Sequence, residues 1–188
     1  MGVPEDVTDW TESLHAVVDE LVAPIAAGHG ARLRCKSGCN ACCSDALTVF
    51  EIEAAVIMRH HADLLASGTP GAEGGCAFLD EAGACRIYAQ RPYVCRTQGL
   101  PLRWLELDEG DDAPVEARDV CPVNVEGGPA LEELAAEECW TLGPVEGRLA
   151  ARQSGVDGGE GRRVALRALF TTPPSGRSQG AKKLPIVR

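Results

Sequence analysis

Cysteine is the residue type of this chain with the greatest capacity for chemistry, and nine cysteines occur among its 188 residues. Four of them crowd into the segment CKSGCNACC, residues 35 to 43. Thiolates bind zinc and iron–sulfur clusters, but cysteines also act as redox nucleophiles and as disulfide partners. Eight cysteines between residues 35 and 121 are the candidates for metal ligation: Cys35, Cys39, Cys42, Cys43, Cys76, Cys85, Cys95 and Cys121.

The spacing within the first cluster restricts how its sulfurs can meet. Cys35, Cys39 and Cys42 follow one another at i, i+4 and i+7. On a continuous helix the outer two would lie about 10 Å apart along the axis, which is too far for both to bind one zinc ion at about 2.3 Å. The chain must therefore turn back if they share a metal, and Gly38 permits the left-handed backbone of such a bend.

Cys42 and Cys43 are adjacent, so their side chains diverge on a helix and on a strand alike. We therefore do not expect both to bind one metal. Cys43 either belongs to a second site or packs as a small apolar residue. Eight thiols can accordingly form two four-sulfur sites, or one cluster with spare cysteines. Cys139, beside Trp140 in a predicted helix, is expected to be a core residue.

Three arginines, Arg86, Arg91 and Arg96, lie among the later cysteines. Their charge would lower thiolate pKa values and offset the negative charge of a thiolate-bound cluster. Equally, each fits as a surface charge or as a partner of a nearby acidic residue. The sequence leaves both roles open.

Composition restricts the class of protein. With 45% hydrophobic residues the chain can bury the core of one domain. A net charge of -10 argues against a nucleic-acid partner, because such binding depends on neutralising phosphates. The acidic N-terminus has no signal-peptide pattern and no segment is apolar enough to span a membrane, so we expect a cytoplasmic protein. A reducing cytosol disfavours disulfides and favours metal ligands or catalytic groups.

The apolar periodicity predicts one helix before and one helix after the first cysteine cluster. Apolar residues recur at helical spacing over residues 4–27 and predict an amphipathic helix, with Thr8 or Asp6 as its cap. A second helix is predicted after the first cluster, with Ser44 or Asp45 as its cap, ending before the segment SGTPGAEGG.

The rest of the chain is less regular. Residues 74–101 alternate short apolar pairs with glycines and predict a small hairpin, short helical turns and loops. Residues 106–112, ELDEGDD, predict an exposed acidic loop. Residues 129–151 and 160–170 predict further helices, with a break at Gly143-Pro144.

These patterns predict a mainly α fold with an irregular, loop-rich cysteine region and at most a small β-hairpin, organised as one domain by metal. Residues 1–30 form an N-terminal helix that packs on the domain, and residues 31–125 form the cysteine-rich metal-binding core. Residues 126–170 supply C-terminal helices. Residues 171–188 carry four basic residues and no acidic one, and are predicted to be a disordered tail.

The quoted cysteine motifs resemble a known family. CKSGCNACC, then Glu51 at a helix start, then CAFLDEAGACRIYAQRPYVCR and finally CPVN are similar to the bacterial YkgJ-like cysteine-cluster family, described as a zinc- or iron-chelating domain. The resemblance covers residues 35–124, about half of the chain. It implies that the seven cysteines from Cys35 to Cys95 are metal-binding, with Cys121 a further member, and that Tyr88, Arg91 and Pro92 shape the loop between ligands.

Metal binding is therefore the leading hypothesis for function. Cysteine-only ligation fits an iron–sulfur cluster or zinc, and the irregular spacing, with one true C-x2-C step, favours a 4Fe–4S cluster over a zinc ribbon. An electron-transfer, redox-sensing or accessory role with a protein partner would follow. A structural zinc-binding interaction module is the alternative.

Two enzymatic interpretations are weaker. C-x3-C-x2-C is also the cluster motif of radical S-adenosylmethionine enzymes, but Ala41 stands where that motif has an aromatic residue, and the strand pattern of a βα barrel is missing. A thiol oxidoreductase using Cys39 and Cys42 lacks the βαβ context. We therefore expect a binding protein rather than an enzyme.

Overall fold

The computed structural model of the protein describes residues 2–36, 38–106 and 114–170. Within these residues the helices are α1 (Glu5–Gly28), α2 (Glu51–His60), α3 (Ala62–Ser67), α4 (Tyr93–Thr97) and α5 (Pro144–Asp157). The strands are β1 (Thr48–Phe50), β2 (Leu102–Glu106), β3 (Val115–Asp119), β4 (Trp140–Thr141) and β5 (Arg163–Ala165). The mainly α class predicted from the sequence is confirmed, and the strands form two small sheets.

The N-terminal helix forms as predicted and supplies much of the first core. Its buried Val7, Leu14 and Val18 pack with Ile52 of α2 and Leu149 of α5. These residues recur at helical spacing along α1. One face of the helix therefore packs on the core, and the opposite face is exposed to water.

The caps predicted for the first two helices are wrong. Helix α1 begins at Glu5, directly after Pro4, whose fixed φ suits the entry to a helix. Helix α2 begins at Glu51 after the extended Phe50, without a side-chain cap. Its backbone N–H at Ile52 instead donates to Oε1 of Gln153 in α5, 3.1 Å away.

A second core lies beneath the cysteine region. Ile57 of α2 packs there with Phe78, Ile87, Leu166 and Phe170. The rings of Phe78 and Phe170 are 4.9 Å apart between centroids. This core connects the loops that carry the later cysteines to the C-terminal end of the described chain.

The C-terminal region differs from the two predicted helices. Residues 131–133 and 136–138 form single 3₁₀ turns, and the α-helix begins only at Pro144, after Gly143 at φ 109°. Residues 163–165 form β5, followed by a 3₁₀ helix over 166–170. Strand β5 pairs antiparallel with β1, and this distant partner overrides the local helical pattern.

The β structure extends beyond one hairpin. Strands β2 and β3 form an antiparallel pair, and β4 joins β2 in parallel at the other edge. Residues 107–113, which connect β2 to β3, lie outside the described residues, and so does most of the predicted acidic loop. The predicted tail, 171–188, also lies outside them. None of the described helices has the length and apolar character needed to cross a membrane.

Candidate metal centre

The first cysteine segment bends as its spacing requires. Gly38 has a φ of 82°, and the backbone N–H of Cys39 donates to the carbonyl oxygen of Lys36 at 2.9 Å. The segment is therefore a loop rather than a continuous helix. Cys35 and Cys42 are exposed, whereas Cys39 and Cys43 are half-buried.

Asn124 joins the first cysteine to the last of the eight candidates. Its Nδ2 lies 3.4 Å from Sγ of Cys35 and donates to the carbonyl oxygen of Gly99 at 2.8 Å. Its backbone N–H donates to the carbonyl oxygen of Cys121 at 2.7 Å. Because Asn124 is fully buried, it fixes the Cys35 loop against the turn that carries Cys121.

Gly99 allows the Cys35 sulfur its close approach to the backbone. Its φ is 92°, and a Cβ atom placed there would lie only 2.7 Å from Sγ of Cys35. A side chain at this position would therefore push the sulfur away.

The next cysteines are held together by backbone hydrogen bonds. The N–H of Cys76 donates to the carbonyl oxygen of Cys43 at 3.0 Å, and Ser44 forms an antiparallel bridge with Gly75. A second bridge pairs Leu79 with Cys85. Main-chain pairing therefore joins Cys43 to Cys76 across more than 30 residues, and it places Cys85 opposite Leu79.

Cys95 reaches this group from the short helix α4. The N–H of Tyr93, the first residue of α4, donates to Oε1 of Glu53 at 2.8 Å, and the same oxygen lies 3.3 Å from Nε2 of His15. Glu53 and His15 are both buried. This carboxylate caps α4 across 40 residues of sequence and thereby positions Cys95.

Tyr93, at the start of α4, is also held by a side-chain hydrogen bond. The hydroxyl of Tyr93 accepts a hydrogen bond from Nε1 of Trp140 at 2.9 Å, and burial raises the tyrosine pKa. Cys139, next to Trp140, is buried, and burial raises its pKa against the lowering by Arg118 and Arg103. It lies in the core, as expected.

Electrostatic interactions link the eight thiols in two adjoining groups, and Cys42 interacts with members of both. The pKa of Cys35 is raised by burial, against the lowering by Asn124, and then by three cysteines: Cys39, Cys121 and Cys42. The pKa of Cys95 is raised to about 12, first by burial and then by Cys76, Cys85 and Cys42. We call the first group (35, 39, 42, 121) the Cys35 group and the second (43, 76, 85, 95) the Cys95 group.

Cys42 and Cys43 lie at the junction of the two groups. A hydrogen bond from the Cys43 thiol lowers the pKa of Cys42 to about 6 and raises that of Cys43. Of this pair, Cys42 is therefore the thiol that loses its proton first, and the thiolate is the form that binds a metal. The pKa of Cys43 is also raised by Cys76 and Cys95.

The sequence left two roles open for the three arginines, lowering the pKa of cysteines and pairing with acidic residues, and the structure shows examples of both. Arg91 and Arg86 lower the pKa of Cys85, although burial raises it more. Arg96 pairs with Asp19 of α1, and Arg91 lies 3.3 Å from the same carboxylate. Arg91 and Arg96 hold α1 against the cysteine region and add positive charge near the Cys95 group.

The histidines are engaged elsewhere. His60 pairs with Glu12 at 2.9 Å, His61 with Gln90 at 2.9 Å, and His29 with the backbone of Glu138 at 2.7 Å. In the described residues all nine cysteines are free thiols, and no three histidine, cysteine or acidic side chains stand close enough to hold a metal as they are placed. The cysteine-only donor set fits zinc or an iron–sulfur cluster, and binding would require the sulfurs to move closer together.

Sequence reasoning missed Asn124 and Glu53 as site residues. Asn124 ends the quoted CPVN motif, so its place three positions after a cysteine is the signal that the sequence offers. Glu53 gives no such signal, because its partners, His15 and Tyr93, lie about 40 residues away on either side.

Residues 34–121 match the model of the family CxxCxxCC, described as "Putative zinc- or iron-chelating domain". This segment is similar to the CxxCxxCC family. It is the same cysteine-cluster family that the motifs indicate, and the match supports metal binding by the cysteines. Its description names both zinc and iron. No curated protein and no solved structure matches the chain.

Proposed function

We propose that this CxxCxxCC protein holds an iron–sulfur cluster of the 4Fe–4S type through its cysteine thiolates. The observation that supports the proposal is that thiols from four stretches of the chain lie near enough to interact electrostatically: the 35–43 loop, residues 76–85, α4 and the turn at Cys121. Buried polar contacts made by Asn124 and Glu53 hold two of these stretches in place. Such convergence without disulfides is typical of a metal centre.

The irregular arrangement favours iron over zinc. Structural zinc sites use two matched knuckles of the C-x2-C type, whereas this chain has one such step and otherwise wide spacings. Iron–sulfur clusters accept cysteines from widely separated positions. The cluster would serve electron transfer, redox sensing or support of a partner protein, in the cytoplasm and without a nucleic acid.

The organisation proposed for the chain follows from this centre. Residues 31–125 would form the metal-binding core, with the N-terminal helix packed on it and residues 126–170 closing the other side. The pairing of Arg96 and Arg91 with Asp19 supports the docking of α1 on this core.

Anaerobic purification tests the proposed cofactor. An iron–sulfur protein is brown, absorbs at about 400 nm and releases iron and sulfide in equal amounts on acid treatment. The variant with Cys39, Cys42, Cys76 and Cys85 all changed to serine should lose this absorption. Colourless wild-type protein that contains zinc and no sulfide would contradict the iron–sulfur proposal and favour the zinc module.

A further inference from the structure

We propose that Arg32 is a positioning residue of the cysteine site, which holds the turn after Cys121 against the loop that begins at Cys35. The proposal rests on the metal binding proposed above, but the contacts that support it involve no metal. Arg32 lies two positions before the segment that matches the family model, and its partners follow that segment. The contact therefore joins the two ends of the family segment.

The side chain of Arg32 is almost completely buried, with 1% of the residue exposed. Its Nη1 donates to the carbonyl oxygens of Asn124 and Val125, at 3.4 and 3.1 Å. Its Nη2 donates to the carbonyl oxygen of Pro129. Within the described residues these partners are all main-chain carbonyl groups, and none is a carboxylate. Because arginine stays charged when buried, these carbonyl dipoles offset the cost of removing it from water.

Two glycines let the chain fold closely around Arg32. A Cβ atom on Gly128 would lie 2.8 Å from Nη2 of the arginine, and one on Gly127 would lie 2.6 Å from the carbonyl oxygen of Ala31. Gly127 also has a φ of 99°, which residues with a side chain rarely adopt. The segment after Cys121 therefore has no room for side chains where it passes residues 31 and 32.

Asn124 connects this contact to two of the candidate ligands. Its carbonyl oxygen accepts from Arg32, and its backbone N–H donates to the carbonyl oxygen of Cys121 at 2.7 Å. Its Nδ2 lies 3.4 Å from Sγ of Cys35, and its Oδ1 accepts from the N–H of Arg34 at 2.8 Å. Loss of the arginine would therefore release the turn on which the contact between the two cysteine segments depends.

The chain around Arg32 is fixed on its other side by the end of α1. The N–H of Arg32 donates to the carbonyl oxygen of His29 at 2.8 Å, and Nε2 of His29 lies 2.7 Å from the carbonyl oxygen of Glu138. Arg32 therefore extends from a held turn. It can keep residues 124–129 in one position relative to the first cysteine loop.

Two variants disturb the contact from opposite sides. Arg32→Met removes the charge and all five N–H donors while keeping a long apolar side chain. Gly128→Ala leaves the arginine in place and puts a methyl group against its guanidinium. Two controls lie in α5. Arg148→Met makes the same chemical change at an exposed arginine, and Leu149→Ala lowers stability by opening a cavity in the first core.

Hydrogen exchange of the full-length protein, as purified, measures the positioning directly. We expect exchange at the N–H groups of Asn124 and Arg34 to rise about tenfold in Arg32→Met and in Gly128→Ala, because buried carbonyl groups lose their donors. Exchange along α5 should stay at the wild-type rate in both variants. Leu149→Ala should show the reverse pattern, with faster exchange in α5.

Metal content separates a positioning role from a loss of stability. Iron and zinc per chain, measured after anaerobic purification, should fall several-fold in Arg32→Met and in Gly128→Ala. They should stay at the wild-type value in Arg148→Met. Leu149→Ala should also keep its metal, even where urea unfolding shows that it is as destabilised as Arg32→Met.

Equal metal contents in Arg32→Met and an equally destabilised Leu149→Ala would overturn the positioning role, since stability alone would then explain the loss. Unchanged exchange at Asn124 would overturn it as well. If Arg32→Met does not fold, the same comparison is made with Gly128→Ala. Wild-type protein without iron or zinc would instead overturn the proposed function, and the exchange at Asn124 would still test the Arg32 contact. The two failures are therefore distinguishable.

Discussion

The side-chain amide of Asn124 lies 3.4 Å from the sulfur of Cys35, across 89 positions of the chain. Asn124 is buried, donates to Gly99 and accepts from Arg34. One residue outside the cysteine pattern thus connects three segments around the first sulfur group. Its amide also presents a donor to a sulfur that would become a thiolate on metal binding.

We expect Asn124→Asp to weaken both the fold and metal retention. The substitution replaces a donor with a carboxylate that faces the Gly99 carbonyl and the Cys35 sulfur. A buried group left without its hydrogen bonds costs about 1–3 kcal/mol, and more when it is charged. Urea unfolding and metal content measure the two effects.

Asn40→Asp is the matched control, because it makes the same charge change at an exposed position within the first cysteine loop. It should leave the free energy of unfolding within about 0.5 kcal/mol of the wild-type value. If Asn124→Asp is as mild as the control, Asn124 does not hold the Cys35 loop.

Glu53 should control the position of Cys95. Replacing it with alanine leaves the buried N–H of Tyr93 and the ring of His15 without their acceptor, at a cost of about 2–3 kcal/mol. Hydrogen exchange of the α4 amides should rise in Glu53→Ala. Glu53→Gln keeps an acceptor oxygen in the same place and should lose much less stability.

A global fall in protection, equal in α4 and α5 of Glu53→Ala, would contradict this positioning role. Protection lost first at Tyr93 and along α4 would support it. The metal content of Glu53→Gln should stay close to that of the wild type.

The metal-free protein should lose stability at alkaline pH. Burial and neighbouring thiols raise the pKa of Cys95 to about 12, above its ordinary value of 9.0. A group whose pKa is raised by folding contributes stability below its unfolded pKa and loses it as the pH rises through the folded value. The loss should therefore begin above about pH 9.

Cys95→Ala separates this effect from the other groups that titrate in the same range. In the metal-free state its free energy of unfolding should fall less steeply than that of the wild type over this pH range. Parallel pH profiles for the two proteins would contradict a raised pKa at Cys95.

Removal of the metal should loosen residues 35–121 more than the first core. Ligand contacts formed only in the folded state contribute their binding free energy to folding. Hydrogen exchange after chelation should therefore rise around Cys43, Cys76 and Cys121, while α1 near Leu14 and Val18 keeps its protection. Unchanged exchange in the cysteine loops would contradict a stabilising metal.

The structure also shows which features local sequence can predict. The apolar repeat of α1 and the bend at Gly38 are local, and both form as predicted. The helix predicted over residues 160–170 is wrong because residues 163–165 pair with β1, more than 100 positions away. The cap predicted for α2 failed for the same reason, since Gln153 of α5 accepts the hydrogen bond of the Ile52 N–H in place of a local cap.

The candidate site divides in a similar way. Cysteine type and spacing identify the eight thiols and the metal chemistry, because that chemistry depends on the donor atom. The grouping of thiols depends on distant contacts, such as Cys43 with Cys76 and Asn124 with Cys35. Spacing therefore left one site and two sites equally open.

The content of iron, zinc and acid-labile sulfide in the anaerobically purified wild-type protein is the decisive measurement. Iron and sulfide in equal amounts, both lost when the eight candidate cysteines are changed to serine, is the predicted result. Wild-type protein with no more bound iron or zinc than that eight-serine variant would show that these thiols hold no metal.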